Sequence, residues 1–239
     1  MARHIKQVRW SPSRTHPPDE SQWPYTVPVV RQLIAEGAVQ VPDGVTFLIG
    51  ENGSGKSTLV EALAAIYPRT GHATKMMNVT GPVGAPEDSP LRWNLRLDTA
   101  PGASPAGFFL RAELMHTYLR DYPDRTGELS DLNARSHGES FLAVLRERFA
   151  DIGVYFMDEP EAALSFTSSL GLVALLGDMV REGSQVVVAT HSPLLVALPG
   201  ATIWEIGEWG RREVTYDDCE LVGLWRAMLD SPERFTRHL

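Results

Sequence analysis

The sequence predicts an α/β fold built on a mainly parallel central sheet, and three observations carry that expectation. Val45 to Ile49, Ile152 to Met157 and Gln185 to Thr190 are short apolar runs rich in β-branched residues, as expected of strands buried on both faces. Helical patterns follow the first two runs: Leu59, Leu63 and Ile66 recur at helical spacing, and Phe166 to Arg181 stops at Gly183. Between the first run and its helix stands Gly50-Glu51-Asn52-Gly53-Ser54-Gly55-Lys56-Ser57-Thr58, which has the G-x-x-x-x-G-K-[ST] spacing of a P-loop.

Strand, glycine loop and helix is the context that turns this spacing into a phosphate site. Gly50, Gly53 and Gly55 let the backbone come close to an anion, and the amides of Glu51, Asn52, Ser54 and their neighbours then form a nest. The N-terminus of the helix adds positive potential. Lys56 is expected to reach the β- and γ-phosphates of a nucleotide, and the Ser57 hydroxyl to ligate Mg²⁺ with Thr58 beside it. A bare glycine turn without ligand is the plainer alternative, but Lys-Ser directly after the last glycine then has no packing purpose.

The run Ile152 to Met157 ends in Asp158-Glu159-Pro160. A buried parallel strand delivers its last side chains to the carboxyl edge of the sheet, where ligands bind. Asp158 is placed there to hold Mg²⁺, directly or through water, and Glu159 to polarise a water for attack on the γ-phosphate. Standing alone, the two acids read equally well as an acidic turn. Gln185 to Thr190 ends at His191-Ser192-Pro193, where His191 can contact the γ-phosphate or the attacking water; a lone histidine after a strand is ordinarily structural. Ser136-His137-Gly138-Glu139-Ser140 opens a helix with Phe141, Leu142, Leu145 and Phe149 on one face, and by itself Ser136-x-x-Glu139 is a capping box.

At 239 residues and 43% apolar content, the chain is long enough for one large α/β domain with a sizeable core. A net charge of −8 argues against a mainly electrostatic nucleic-acid binder, leaving room for a local basic patch. One cysteine, Cys219, excludes an intrachain disulfide and fits a reducing compartment. The longest mostly apolar stretch, Leu170 to Val180, is too short to span a bilayer, and Arg3, His4, Lys6 and Arg9 precede no apolar run of a signal peptide. The expectation is a soluble, cytoplasmic protein.

In chain order, a short strand is expected around Ile5 to Trp10, then irregular, proline-rich structure with Trp23 and Tyr25. A helix over Val29 to Glu36 ends at Gly37, and an edge strand over Val39 to Val41 stops at Pro42-Asp43-Gly44. Residues 68–107 read as loops with one alternating strand over Leu91 to Leu97. A strand over Gly107 to Leu110 leads into Arg111, Ala112 and Glu113, and a helix is expected over Leu114 to Leu119. Thr202 to Ile206 and Glu213 to Tyr216 alternate like an antiparallel hairpin around Gly207 and Gly210. Leu221 to Leu229 reads as a helix, with a charged tail over Ser231 to Leu239.

The P-loop, Ser-His-Gly-Glu-Ser, Val-Tyr-Phe-Met-Asp-Glu-Pro-Glu and Ala-Thr-His-Ser-Pro occur in that order between Val45 and Ile206, and together they resemble the ABC-type ATPases, in particular the small stand-alone, chromosome-maintenance-like branch often labelled AAA-family ATPases. The resemblance implies a P-loop NTPase fold with an antiparallel β subdomain and a small helical lobe beside the main sheet. It implies a single ATPase domain over residues 1–239, with 68–150 as an inserted lobe carrying the lid loop and the signature-like segment. Gly50 to Thr58 are then the Walker A loop, Asp158 the Walker B metal carboxylate, Glu159 the catalytic base and His191 the switch histidine. Ser136, His137, Gly138 and Glu139 occupy the signature segment, which in the family contacts the nucleotide of the opposite protomer. That implies a homodimer sandwiching two ATP molecules with Mg²⁺. Arg135 and His137 depart from the usual signature, and Ser165 replaces the aspartate usual after Walker B. No glutamine stands between Gln40 and Gln185, so the lid-loop metal ligand falls to Glu113.

Read this way, the chain is an ATPase acting on a macromolecular partner, protein or nucleic acid. The ATP-binding subunit of a membrane transporter is the main alternative, which the irregular signature and missing glutamine disfavour. A nucleotide sensor with little intrinsic hydrolysis also fits. A small-molecule kinase has no need of Asp158-Glu159-Pro160 with His191, and a GTPase lacks its Asn-Lys-x-Asp reader.

Overall fold

The computed structural model describes residues 4–67, 89–104, 106–111, 137–149, 151–162 and 164–237. Its strands are β1 (Ile5–Trp10), β2 (Ala38–Gln40), β3 (Val45–Ile49), β4 (Leu95–Thr99), β5 (Gly107–Arg111), β6 (Val154–Asp158), β7 (Gln185–Ala189), β8 (Thr202–Gly207) and β9 (Gly210–Val214). The helices used below are α1 (Pro28–Glu36), α2 (Lys56–Ile66), α3 (His137–Arg148), α4 (Phe166–Glu182), α5 (Glu220–Asp230) and α6 (Glu233–Thr236).

A six-stranded sheet runs in the order β5-β6-β7-β3-β8-β9, parallel except for β9. Every residue of β3, β6 and β7 is buried, which is why these runs are continuously apolar rather than alternating. The pleat still sorts them. Leu48, Phe156 and Val187 join α1, α2 and the N-terminal strands in one core, while Phe47, Ile49, Tyr155 and Met157 join α3, α4 and α5 in the other. Helices therefore cover both faces, and the carboxyl ends of β3, β6 and β7 reach one common edge.

Over the α2 side lies a second, antiparallel sheet in the order β2-β1-β4. Gln185 fastens it to the main sheet: its buried amide accepts from Ile5 N at 2.7 Å and donates to Ile5 O at 3.1 Å and Pro42 O at 2.7 Å. His4 adds a bond to Gly183 O at 2.9 Å. Within residues 68–150, β4 thus pairs with β1, and β5 with β6; the expected helix over Leu114 to Leu119 lies outside the described residues. Among the described residues no helix is long and apolar enough to cross a membrane.

Two element boundaries differ from the sequence expectation. The strand expected over Leu91 to Leu97 is split: Pro90–Trp93 is a 3₁₀ turn and only Leu95–Thr99 is extended. Proline is favoured at the first position of a helical turn, and fully buried Leu91 anchors that turn in the core. Asn94 then closes it, accepting from Ser13 N at 2.8 Å and donating to Tyr25 Oη at 2.8 Å. The return strand of the C-terminal hairpin is Gly210–Val214 rather than Glu213 to Tyr216. The turn has only two residues, Glu208 and Trp209, with Gly210 at φ 93°, so pairing resumes at Gly207↔Gly210. The charged tail contains the short α6.

Candidate functional site

The P-loop leaves β3 at Gly50 and enters α2 at Lys56. Gly50 has φ 147°, and a Cβ there would stand 2.1 Å from the carbonyl oxygen of Ile206 on β8. Gly55 has φ 104°, and its Cβ would meet Val27 Cγ1 at 2.3 Å. The loop is thus pressed between β8 and the segment leading into α1. Gly55 is the N-cap of α2; no side chain caps the helix and no acid sits in its first turn, so its terminal amides are left to an anion. The buried Ser54 Oγ has no hydrogen-bond partner among the described residues.

Lys56 Nζ donates to Gly50 O and Glu51 O, both at 2.9 Å, so the ammonium lies inside the loop. Burial lowers its pKa, against the opposing pull of Glu159, Asp158, Glu51 and Glu161. The Ser57 hydroxyl donates to Asp158 Oδ1 at 2.8 Å, bringing together the two oxygen ligands anticipated for a cation. Asp158 Oδ2 faces Arg111 Nε at 3.8 Å, and Arg111 also pairs with Glu61 of α2. Arg111 ends β5 in register with Asp158.

Glu159 departs from the strand. It is a non-glycine residue at φ 49°, a conformation that costs roughly 1–3 kcal/mol and persists only where surroundings enforce it. Its amide donates to Ala189 O at 2.9 Å. Its side chain is 44% exposed against 10% for Asp158, so Asp158 faces inward toward Ser57 and Glu159 the solvent side. His191 Nε2 lies 3.6 Å from Glu159 Oε1.

Sequence reasoning missed Glu161. Its Oε1 accepts from Thr190 Oγ1 at 2.5 Å and from His191 N at 2.8 Å, while Oε2 is buried without a hydrogen-bond partner among the described residues. Burial raises its pKa, opposed by the hydrogen bonds from Thr190 and His191. The one available signal was the second acid after Pro160; Arg111 was signalled only as the polar end of an apolar strand.

Lys56, Ser57, Asp158, Glu159 and His191 thus meet at one sheet edge. Gly138 and Glu139 sit in the first turn of α3, where Gly138 is buried and a Cβ would stand 2.3 Å from Ser168 Oγ of α4. That contact explains a glycine at this position by packing alone. Glu113 and Ser136 lie outside the described residues.

Residues 35–81 match the family described as the P-loop containing region of AAA domain. The chain is 29% identical over 188 residues to the ribose import ATP-binding protein RbsA 1 of Agrobacterium fabrum, covering 69% of this chain and 36% of that protein. It is 26% identical over 186 residues to the manganese transport system ATP-binding protein MntB of Bacillus subtilis, covering 67% and 72%. A solved structure of a metal-chelate type ABC transporter in an inward-facing conformation superposes with TM-score 0.43 at 16% identity, covering 76% of this chain and 77% of that one. The chain thus spans about a third of the length of RbsA 1 and most of the length of MntB. With its P-loop strand and ordered motifs, the chain is of the ABC-type P-loop ATPase class.

Proposed function

We propose that this chain binds ATP with Mg²⁺ and hydrolyses the β-γ phosphoanhydride, working as an ATP-sandwiched homodimer on a macromolecular partner. The observation that carries the reading is the convergence of an uncapped helix N-terminus, the Ser57–Asp158 pair and the Glu159–His191 pair at one edge. Loop amides and Lys56 hold the phosphates. Ser57 and Asp158 supply hard oxygen ligands, and no cluster of three His, Cys, Asp or Glu suited to a metal occurs among the described residues. That donor set fits Mg²⁺, which is ordinarily bound by one or two protein oxygens together with phosphates and water. When bound, the ion neutralises charge that develops on the phosphate oxygens. Glu159 accepts a proton from the attacking water, and His191 orients it. Glu113, two residues beyond Arg111, is proposed for the lid-loop role.

The sandwich reading rests on the position of Gly138 and Glu139 after the P-loop and before Asp158. In the second reading the chain is the ATP-binding subunit of an import system, which the names of RbsA 1 and MntB favour. Arg135, His137 and the absence of glutamine between Gln40 and Gln185 weigh against it. Lys56→Ala tests the common core: calorimetry in Mg²⁺ buffer should show ATP binding abolished, and unchanged affinity refutes the site. Light scattering with ATP should show a mass near twice 26.4 kDa, reversed on nucleotide removal. A protein that binds ATP yet stays monomeric refutes the sandwich.

A further inference from the structure

We propose that Glu161 is a positioning residue of this site, pinning the turn Thr190-His191-Ser192 to the end of β6 and so setting His191 against Glu159. The proposal rests on the ATPase reading above. β6 and β7 run in register to Asp158↔Ala189, and the amide of Glu159 makes a further backbone tie to Ala189 O. Beyond it, among the described residues, one carboxylate oxygen hydrogen-bonds the turn after β6 to the segment after β7. Glu161 Oε1 takes the Thr190 hydroxyl and the His191 amide together. The same hydroxyl accepts from Ser192 N at 3.0 Å. Three consecutive residues are therefore ordered by a single atom on the other strand's turn.

The consequence falls on the histidine. The His191 amide is held from the Glu161 side, which sets the backbone position from which its ring reaches Glu159. Its Nε2 is buried without a hydrogen-bond partner among the described residues, and Glu159 Oε1 stands 3.6 Å from it. The plainer alternative is a loop staple that serves folding only. Folding alone needs an acceptor at Oε1. It does not need a carboxylate whose second oxygen is buried unpaired, an arrangement that costs stability. Costs of this kind are retained where geometry serves the chemistry.

The test compares Glu161→Leu, Glu161→Gln and Glu161→Asp in the full chain, with ATP affinity by calorimetry and kcat measured separately. Glu161→Leu should bind ATP with the parent Kd while kcat falls about 10- to 100-fold, the loss of two hydrogen bonds to an acid. Glu161→Gln keeps an acceptor at the same reach and should recover most of that loss. Glu161→Asp keeps the charge but pulls the acceptor back, and should lose about tenfold in kcat, so it serves where the leucine variant does not fold. Parent kcat in a folded leucine or aspartate variant overturns the proposal, as does a loss confined to ATP affinity. A parent protein without Mg²⁺-dependent turnover contradicts the ATPase reading itself, whereas full-rate variants of an active parent contradict only the role of Glu161.

Discussion

Single residues set this site by what they exclude as much as by what they offer. Gly50 tolerates no side chain: its φ of 147° and the Ile206 carbonyl 2.1 Å from a Cβ leave no room, and backbone carbonyls do not yield as a flexible side chain does. Gly50→Ala should therefore lower stability by at least about 1–3 kcal/mol from backbone strain alone, read by urea unfolding; a variant as stable as the parent refutes this packing of the loop. Lys56 and Ser57 were legible in the sequence from the P-loop spacing, and Asp158, Glu159 and His191 because each stands where an apolar run stops and a parallel strand exposes its end. Glu161 was not. An acid in a turn reads as solvated, and its burial depends on Thr190, which lies on a different strand's turn. Arg111 escaped for the same reason, since its partners Glu61 and Asp158 come from two other elements.

Elements followed the sequence where periodicity was unambiguous. β3, β6 and β7 are buried on both faces, and α1 stops at Gly37 with φ 74° as its glycine suggests. The alternating stretch Leu91 to Leu97 misled because Pro90 starts a 3₁₀ turn whose apolar residues imitate a strand pattern. At this scale the first turn of α3 raises a question of cause. Gly138 lies so close to Ser168 that packing alone explains it, yet it also stands in the signature-like segment. Gly138→Ala should cost roughly 1–3 kcal/mol through overpacking, and Ser168→Gly in the same chain should restore stability by removing the clash. If the double variant unfolds as early as the single one in urea, the clash with Ser168 is not the cause. If stability returns but the ATP-dependent mass increase does not, Gly138 serves the nucleotide interface as well as the packing.

The described residues form two sheets, with α1 and α2 on one side of the larger and α3, α4 and α5 on the other; the N-terminal sheet shares an apolar core with α1 and α2 and is tied to the larger sheet by the polar contacts of Gln185. That amide is 1% exposed and bonds to both polar groups of Ile5 and to Pro42 O, residues at the opposite end of the chain. Gln185→Leu should leave buried backbone groups unpaired at about 1–3 kcal/mol each, lowering the urea midpoint; an unchanged midpoint means the two sheets are fastened by other contacts. No sequence pattern announced this tie, since a glutamine opening an apolar strand reads as a strand boundary.

What the molecule is built to do is tested most directly at Glu159. Asp158 and Glu159 are adjacent, yet Asp158 is held by Ser57 and Glu159 turns outward at φ 49° toward His191. Replacing the outer carboxylate by an amide keeps its size and removes its basicity. The measurement is single-turnover hydrolysis of Mg·ATP by Glu159→Gln. The account requires that ATP bind with parent affinity while the hydrolysis rate falls about 10²- to 10⁴-fold, the usual worth of a general base. Hydrolysis at the parent rate would contradict it.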